Sequence, residues 1–130
     1  MDETITLINK KVDLFNKAYH ASEKLQSHLK DMKKIVLIDL EEAGSFFFRF
    51  DKSGLTQATV GKPEEEIDIT VTSSLETFHG ILTGEVRKMK AIVTKQIKLK
   101  AKKIKDLLLL KRLLSAKPAD FVDKGEKQGN

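Results

Sequence analysis

Apolar residues between Glu3 and Met32 recur at steps of three and four. Ile5, Ile8, Val12, Phe15 and Tyr19 form one stripe, and Leu25, Leu29 and Met32 continue it. Such a period turns one face of a helix toward a core. The stripe breaks around Ser22, so the segment is one long helix or two shorter ones. At Lys34 the period changes to two. Residues 34–40 read as a strand that is apolar on both sides, with Ile35 and Leu37 against Val36, Ile38 and Leu40. A strand of that kind is covered on both faces or looks into a cavity. Glu41-Glu42-Ala43-Gly44 reads as a turn. A second strand follows over 45–51, with Phe46, Phe48 and Phe50 on one side and Phe47, Arg49 and Asp51 on the other.

Lys52-Ser53-Gly54 closes a hairpin onto a third strand at 55–60, which ends at Gly61-Lys62-Pro63. Residues 66–73 alternate as a fourth strand, and the first three strands on short turns imply an antiparallel meander. Ser73-Ser74-Leu75-Glu76 has the spacing of a capping box. It predicts a helix burying Leu75, Phe78, Ile81 and Leu82 and stopping at Gly84. A short helical piece carries Met89, Ile92 and Val93. Residues 96–101 return to period two, with Ile97 and Leu99 inward and Lys98 and Lys100 outward. Residues 102–115 read as a last helix with a broad apolar face of Ile104, Leu107, Leu108, Leu110, Leu113 and Leu114, ended by Pro118. Strands grouped together with helices at the ends define an α+β domain, one sheet with helices over one face.

At 130 residues, 40% of them hydrophobic, the chain suffices for one domain with a sizeable core. The expected division is a single domain over 1–122 and a polar, frayed tail over 123–130. Cysteine is absent, which excludes disulfides, zinc–thiolate centres, iron–sulfur clusters and thiol catalysis. The start MDETITLINKKVD lacks the apolar stretch of a signal peptide, and no apolar run approaches a bilayer-spanning length. These features predict a cytoplasmic protein.

Net charge is +5 and unevenly placed: Arg87 to Arg112 holds eleven Lys or Arg against the single acid Asp106. A field of this kind meets nucleic acid, an anionic membrane or an acidic head group, or is a solvated face. Arg87, Lys88, Lys90 and Lys95 are the candidates for head-group or membrane contact. Nucleic-acid surfaces interleave aromatics with their cations, and this stretch contains none, so no nucleic-acid partner is expected.

Chemistry at the level of motifs is sparse. The histidines His20, His28 and His79 have no partner at metal-ligand spacing. The seven glycines form neither a dinucleotide fingerprint nor a P-loop. Serines occur in turns rather than at a nucleophile elbow. Asp39, Glu41 and Glu42 sit at a strand end where a solvated hairpin explains them. The expectation is therefore no catalysis, no metal and no cofactor. The apolar excess is more informative: Leu107-Leu108-Leu109-Leu110 and Phe46-Phe47-Phe48 are wider than one sheet–helix contact requires. They suit a core with a dimer patch, or the wall of a cavity.

The segment from Glu66 to Phe78, EIDITVTSSLETF, resembles the fourth strand and following helix of the sterol carrier protein type 2 family. Leu82-Thr83-Gly84-Glu85, Met89-Lys90-Ala91, the Ile97-Lys98-Leu99-Lys100 strand and the terminal leucine-rich helix follow in that family's order. The sequence departs from it at Lys95 and Ala101, where the family often has glycine flanking the last strand. The resemblance implies a five-stranded, mostly antiparallel sheet with helices covering one face and an apolar lipid tunnel between them. By position it carries Phe78, Leu82, Met89, Ile92, Val93, Ile97, Leu99, Leu107, Leu108 and Leu110 to the tunnel wall. Phe46, Phe48 and Phe50 join them if that strand face looks inward. The implied role is non-enzymatic binding of a fatty acid, acyl-CoA, sterol or isoprenoid, with transient contact to an anionic membrane. Two further roles stand beside it: an accessory subunit for a lipid-metabolism enzyme, and a basic nucleic-acid-binding module.

Overall fold

The structure, a computed structural model, describes residues 2–29, 32–87, 90, 94 and 96–114. Among these residues four helices and a six-stranded sheet run in the order α1 (Asp2–Ala21), α2 (Glu23–Leu29), β1 (Lys34–Leu40), β2 (Gly44–Asp51), β3 (Gly54–Leu55), β4 (Thr59–Val60), β5 (Ile69–Ser73), α3 (Leu75–Thr83), β6 (Ile97–Ala101) and α4 (Asp106–Leu114).

The N-terminal stripe is two helices. Ser22 makes the break: its hydroxyl accepts the Leu25 N–H at 3.0 Å and so caps α2. The Gln26 side-chain amide donates back to the Tyr19 and His20 carbonyls at 2.9 and 3.1 Å, which satisfies the orphan acceptors at the end of α1. Ser22 and Gln26 thus join the end of one helix to the start of the next.

The sheet order is β3-β2-β1-β5-β6, with β4 also on β2. β1–β2, β2–β3, β2–β4 and β5–β6 are antiparallel, while β1–β5 is parallel. The predicted third strand at 55–60 is split. Leu55 pairs with Phe50 and Val60 with Phe46, and between them the ladder is broken at Thr56, whose N–H still donates to the Arg49 carbonyl at 2.9 Å while its hydroxyl, not its carbonyl, accepts the Arg49 N–H at 2.9 Å. The fourth strand starts at Ile69 rather than Glu66.

Residues 61–68 carry the chain from β4, outside β2, to β5 beyond β1, and so must cross one face of the sheet. Arg49 and Glu65 identify the face. Arg49 shares its side of β2 with Phe47, its guanidinium carbon lying 5.0 Å from the Phe47 ring centre. It holds Glu65 through two hydrogen bonds of 2.6 and 2.8 Å. The strap therefore crosses the face away from the helices, which accounts for the burial of Leu37 and Phe47 there.

The opposite face carries Val36, Ile38, Leu40, Phe46, Phe48, Phe50, Ile69, Val71 and Ile97 into one apolar cluster beneath α1, α3 and α4. The helices supply Ile8, Val12, Phe15, Tyr19, Phe78, Leu82, Leu109, Leu110 and Leu113. α3 is capped by Ser74, whose hydroxyl accepts the Thr77 N–H, and ends at Gly84 in the left-handed conformation (φ 86°). The cap lies one residue later than the Ser73–Glu76 spacing predicts.

The last helix departs most from the sequence reading. It starts at Asp106, not at residue 102, and Ile104 lies in the preceding turn, 89% exposed rather than on a buried face. β6 runs to Ala101, leaving four residues in which to reverse direction, and the i→i+3 bond from Asp106 N–H to the Lys103 carbonyl closes that turn. The short helical piece expected at Met89, Ile92 and Val93, and the tail at 123–130, fall outside the described residues.

Candidate functional site

Period two on β2 and the stripes on α1, α3 and α4 converge on the same interior. Phe46 and Phe48 meet edge-on with ring centres 5.7 Å apart, and Phe78 from α3 reaches Phe46 at 6.2 Å. Phe50 on the same strand face packs against Phe15 and Tyr19 of α1. The phenylalanine face of β2 that looks inward is thus the even-numbered one. Of the predicted lining residues, Phe46, Phe48, Phe78, Leu82, Ile97 and Leu110 are buried members of the one cluster. Leu99 and Leu108 are partly buried against it, and Leu107 is half-buried. Met89, Ile92 and Val93 lie outside the described residues. Among the candidate cations Arg87 and Lys90 are exposed, while Lys88 and Lys95 lie outside the described residues.

The sequence placed Ile8, Val12, Phe15 and Tyr19 on a core-facing stripe but not in the lining, and they form a large part of the cluster. In α4 the fully inward positions are Leu109, which the expected apolar face omitted, with Leu110 and Leu113. A run of four leucines has no period, so the phase of α4 has to be read from its polar residues. Lys111 and Arg112 are exposed, and the inward stripe is 106, 109, 110 and 113.

That stripe places a carboxylate indoors. Asp106 is fully buried, and its Oδ1 lies 3.1 Å from the Lys34 ammonium. Among the described residues neither carboxylate oxygen accepts a hydrogen bond beyond this ion pair. Lys34 shares the inward parity of Val36, Ile38 and Leu40, so its stem lines the interior and its charge ends at the first turn of α4. Asp106 also sits where the helix dipole favours an anion. The one acid of the basic third lies in phase with the buried leucines, a phase that the leucine run hides.

The other buried polar side chains among the described residues are partnered: Thr4 with His79 and Ser22 with the Leu25 N–H. Ser73 is fully buried but donates its hydroxyl to the Ser74 carbonyl at 2.9 Å. No group of three His, Cys, Asp or Glu among the described residues is placed to hold a metal ion. Two surface hollows flank the body. One of about 400 Å³ is bounded by Glu3, Glu42, Glu76, Glu85 and His79, the other of about 290 Å³ by Glu66, Asp68, Lys100 and Lys102. Both have mixed linings rimmed by charged side chains. No helix among the described residues is long and apolar enough to cross a membrane.

Residues 15–122 match the model of the family described as the SCP-2 sterol transfer family. No curated protein matches the chain. Among solved structures the chain is similar to a ubiquinone synthesis protein, UbiJ-SCP2, at 14% identity over 85% of this chain and 92% of that one, with a TM-score of 0.54. It is similar to the sterol carrier protein domain 2 of Helicoverpa armigera at 17% identity, over 85% and 87% of the two chains, with a TM-score of 0.54. It is also similar to the inverting sec-alkylsulfatase Pisa1 from Pseudomonas sp., at 17% identity and a TM-score of 0.52, where 70% of this chain spans only 14% of that enzyme. At these identities the structural likeness concerns the fold: helices over one face of a mixed sheet. With the family match extending from Phe15 to Val122, the chain belongs to the SCP-2 sterol transfer family.

Proposed function

We propose that the protein is a non-catalytic lipid-binding module that takes a fatty-acyl, sterol-like or isoprenoid guest between its helix layer and its sheet. The observation that carries this reading is the single apolar cluster spanning α1, α3, α4 and the even-numbered face of β2. A water-insoluble guest exchanges one apolar surface for another there, so parting the helices from the sheet exposes little apolar area to water while the guest is bound. Family membership points the same way. The lining we assign is Phe46, Phe48, Phe78, Leu82, Ile97, Leu99, Leu107, Leu108 and Leu110, with Met89, Ile92 and Val93 from the connecting segment. Arg87, Lys88, Lys90 and Lys95 would meet an anionic head group or membrane, and the working compartment would be the cytoplasm.

Native mass spectrometry of freshly purified protein, followed by displacement of a fluorescent fatty acid with a series of saturated fatty acids, tests it. We expect a co-purifying lipid and an affinity that rises by about 0.8 kcal/mol for each buried methylene. An affinity that stays flat from short to long chains would reject the reading. The likeness to a protein named for ubiquinone synthesis favours a second role, presenting an apolar substrate to an enzyme as an accessory subunit. A protein that purifies empty and takes up no fatty acid would favour this alternative.

A further inference from the structure

Exposed large apolar side chains are few among the described residues, and they sit at opposite edges of the sheet. Val60 is 65% exposed beside β2, and Ile104 is 89% exposed in the turn after β6. Their surroundings differ. Ile104 stands in Lys102-Lys103-Ile104-Lys105, and the neighbouring strand sends Lys98 and Lys100 to the outer face. The nearby acids are engaged elsewhere. Asp106 turns inward to Lys34, Glu66 pairs with Lys102, and Asp68 accepts the Ile35 N–H. Lys98, Lys100, Lys103 and Lys105 therefore set a positive field around one apolar tip. The tip is firmly built: Lys102 N–H donates to the Asp68 carbonyl at 3.0 Å, and Leu107 N–H donates to the Ile104 carbonyl at 3.0 Å. The buried ion pair fixes its base.

An exposed apolar side chain flanked in sequence by lysines is matched by a fluid anionic bilayer, which admits the side chain among acyl chains and offers phosphates to the lysines. A rigid protein partner would need a socket of matching shape, and a nucleic acid would give the isoleucine nothing to bury against. We propose that residues 102–105 are a docking point of this protein on anionic phospholipid membranes, in addition to the contact proposed for Arg87, Lys88, Lys90 and Lys95, with Ile104 inserting and Lys103 and Lys105 meeting head groups. The proposal rests on the lipid-binding reading for its purpose alone.

The chain contains no tryptophan, so Ile104→Trp supplies a single indole reporter. With vesicles of phosphatidylcholine plus phosphatidylglycerol, its emission should shift to the blue and be quenched by brominated acyl chains. Vesicles of phosphatidylcholine alone should leave it unchanged, as should either vesicle for Val60→Trp. Sedimentation of the wild-type protein with the anionic vesicles should weaken about five-fold for each of Lys103→Gln and Lys105→Gln, weaken with added salt, and be lost in Ile104→Glu. Fatty-acid uptake measured without vesicles should be unchanged in Ile104→Glu, which shows that the variant is folded. Three results would overturn the proposal: an indole at 104 that ignores anionic vesicles, one already blue in buffer because another part of the chain covers it, or equal shifts at 60 and 104. Membrane insertion without fatty-acid uptake would instead sink the lipid-binding reading and leave the docking point standing.

Discussion

Asp106 and Lys34 are the costliest residues to place in this interior, since each charge loses its water on folding. A buried ion pair is close to neutral against an apolar replacement, but removing one member strands the other. Asp106→Ala should therefore destabilise the protein by about 3–5 kcal/mol, measured by urea unfolding. Lys34→Met combined with Asp106→Leu should recover most of that loss. A single-variant loss below about 1 kcal/mol would mean that water reaches the pair. The two residues also show what the sequence could tell at this scale. Neither inward position was legible: β1 is apolar on both sides, so its period does not say which side looks inward, and the leucine run hides the phase that sets Asp106 with Leu109, Leu110 and Leu113. Ile104 misled because its spacing to Leu107 and Leu108 suits a helix, and only the position of the end of β6 shows that it must turn instead.

Among the elements, β1, β2, α3 and β6 were legible in the sequence because each pattern is local: clean alternation, a serine cap, a glycine stop. The split between β3 and β4 was not, because its cause is distant. Asn9, Asp13 and Asn16 lie along one side of α1 and serve the interrupted edge. Asn16 donates to the Leu55 carbonyl at 2.9 Å and accepts the Leu55 N–H at 2.8 Å, and Asn9 accepts the Ala58 N–H at 2.8 Å. Asp13 takes the Gln57 side-chain amide at 2.9 Å. Helix side chains thus occupy the free groups of an edge that another chain could otherwise pair with. Gly54 belongs to this arrangement, because a Cβ there would fall 2.5 Å from the Asn16 oxygen at a φ of +112°. Asn16→Ala leaves a part-buried donor and acceptor unpaired and should cost about 1–3 kcal/mol in chemical denaturation, with faster hydrogen exchange at Leu55.

The strap at 61–68 is the other element tied by side chains. The forked hydrogen bonds from Arg49 hold the Glu65 carboxylate down at about 2, from an ordinary 4.5. A carboxyl group whose folded value is depressed contributes above its unfolded value and loses that contribution as pH falls toward the folded one. The tie should therefore be intact above pH 4.5 and loosen between there and pH 2. A titration of Glu65 followed by NMR should place its midpoint near 2, returning toward 4.5 in Arg49→Gln. Both groups are exposed, so the effect belongs to the strap and not to global stability.

At the scale of the whole molecule, one sheet separates two unlike coverings. Four helices among the described residues close an apolar layer on one side, and a short polar strap covers Leu37 and Phe47 on the other. On the proposed reading a guest entering on the helix side would displace packing along its whole length, and for that reason affinity should follow chain length. The architecture was legible from the order of patterns, since strands clustered between terminal helices leave few α+β arrangements. The inward positions were legible only in part. Alternation puts Phe46 and Phe48 on one face without saying that it looks inward, Phe78 follows from the stripe of α3, and the leucine run of α4 carries no phase of its own. The parallel join of β1 to β5 has a history as well as a place. Val36 pairs with Ile69 and Leu40 with Ser73, so this seam in the middle of the sheet cannot close until β5 has left the ribosome, long after the β1–β2 hairpin. Until then the β1–β2 hairpin stands with one bare edge of Val36, Ile38 and Leu40, and long-range pairing of this kind is slow. Chains cut short before Ser73 keep that edge open, and aggregation is the fate such an edge invites.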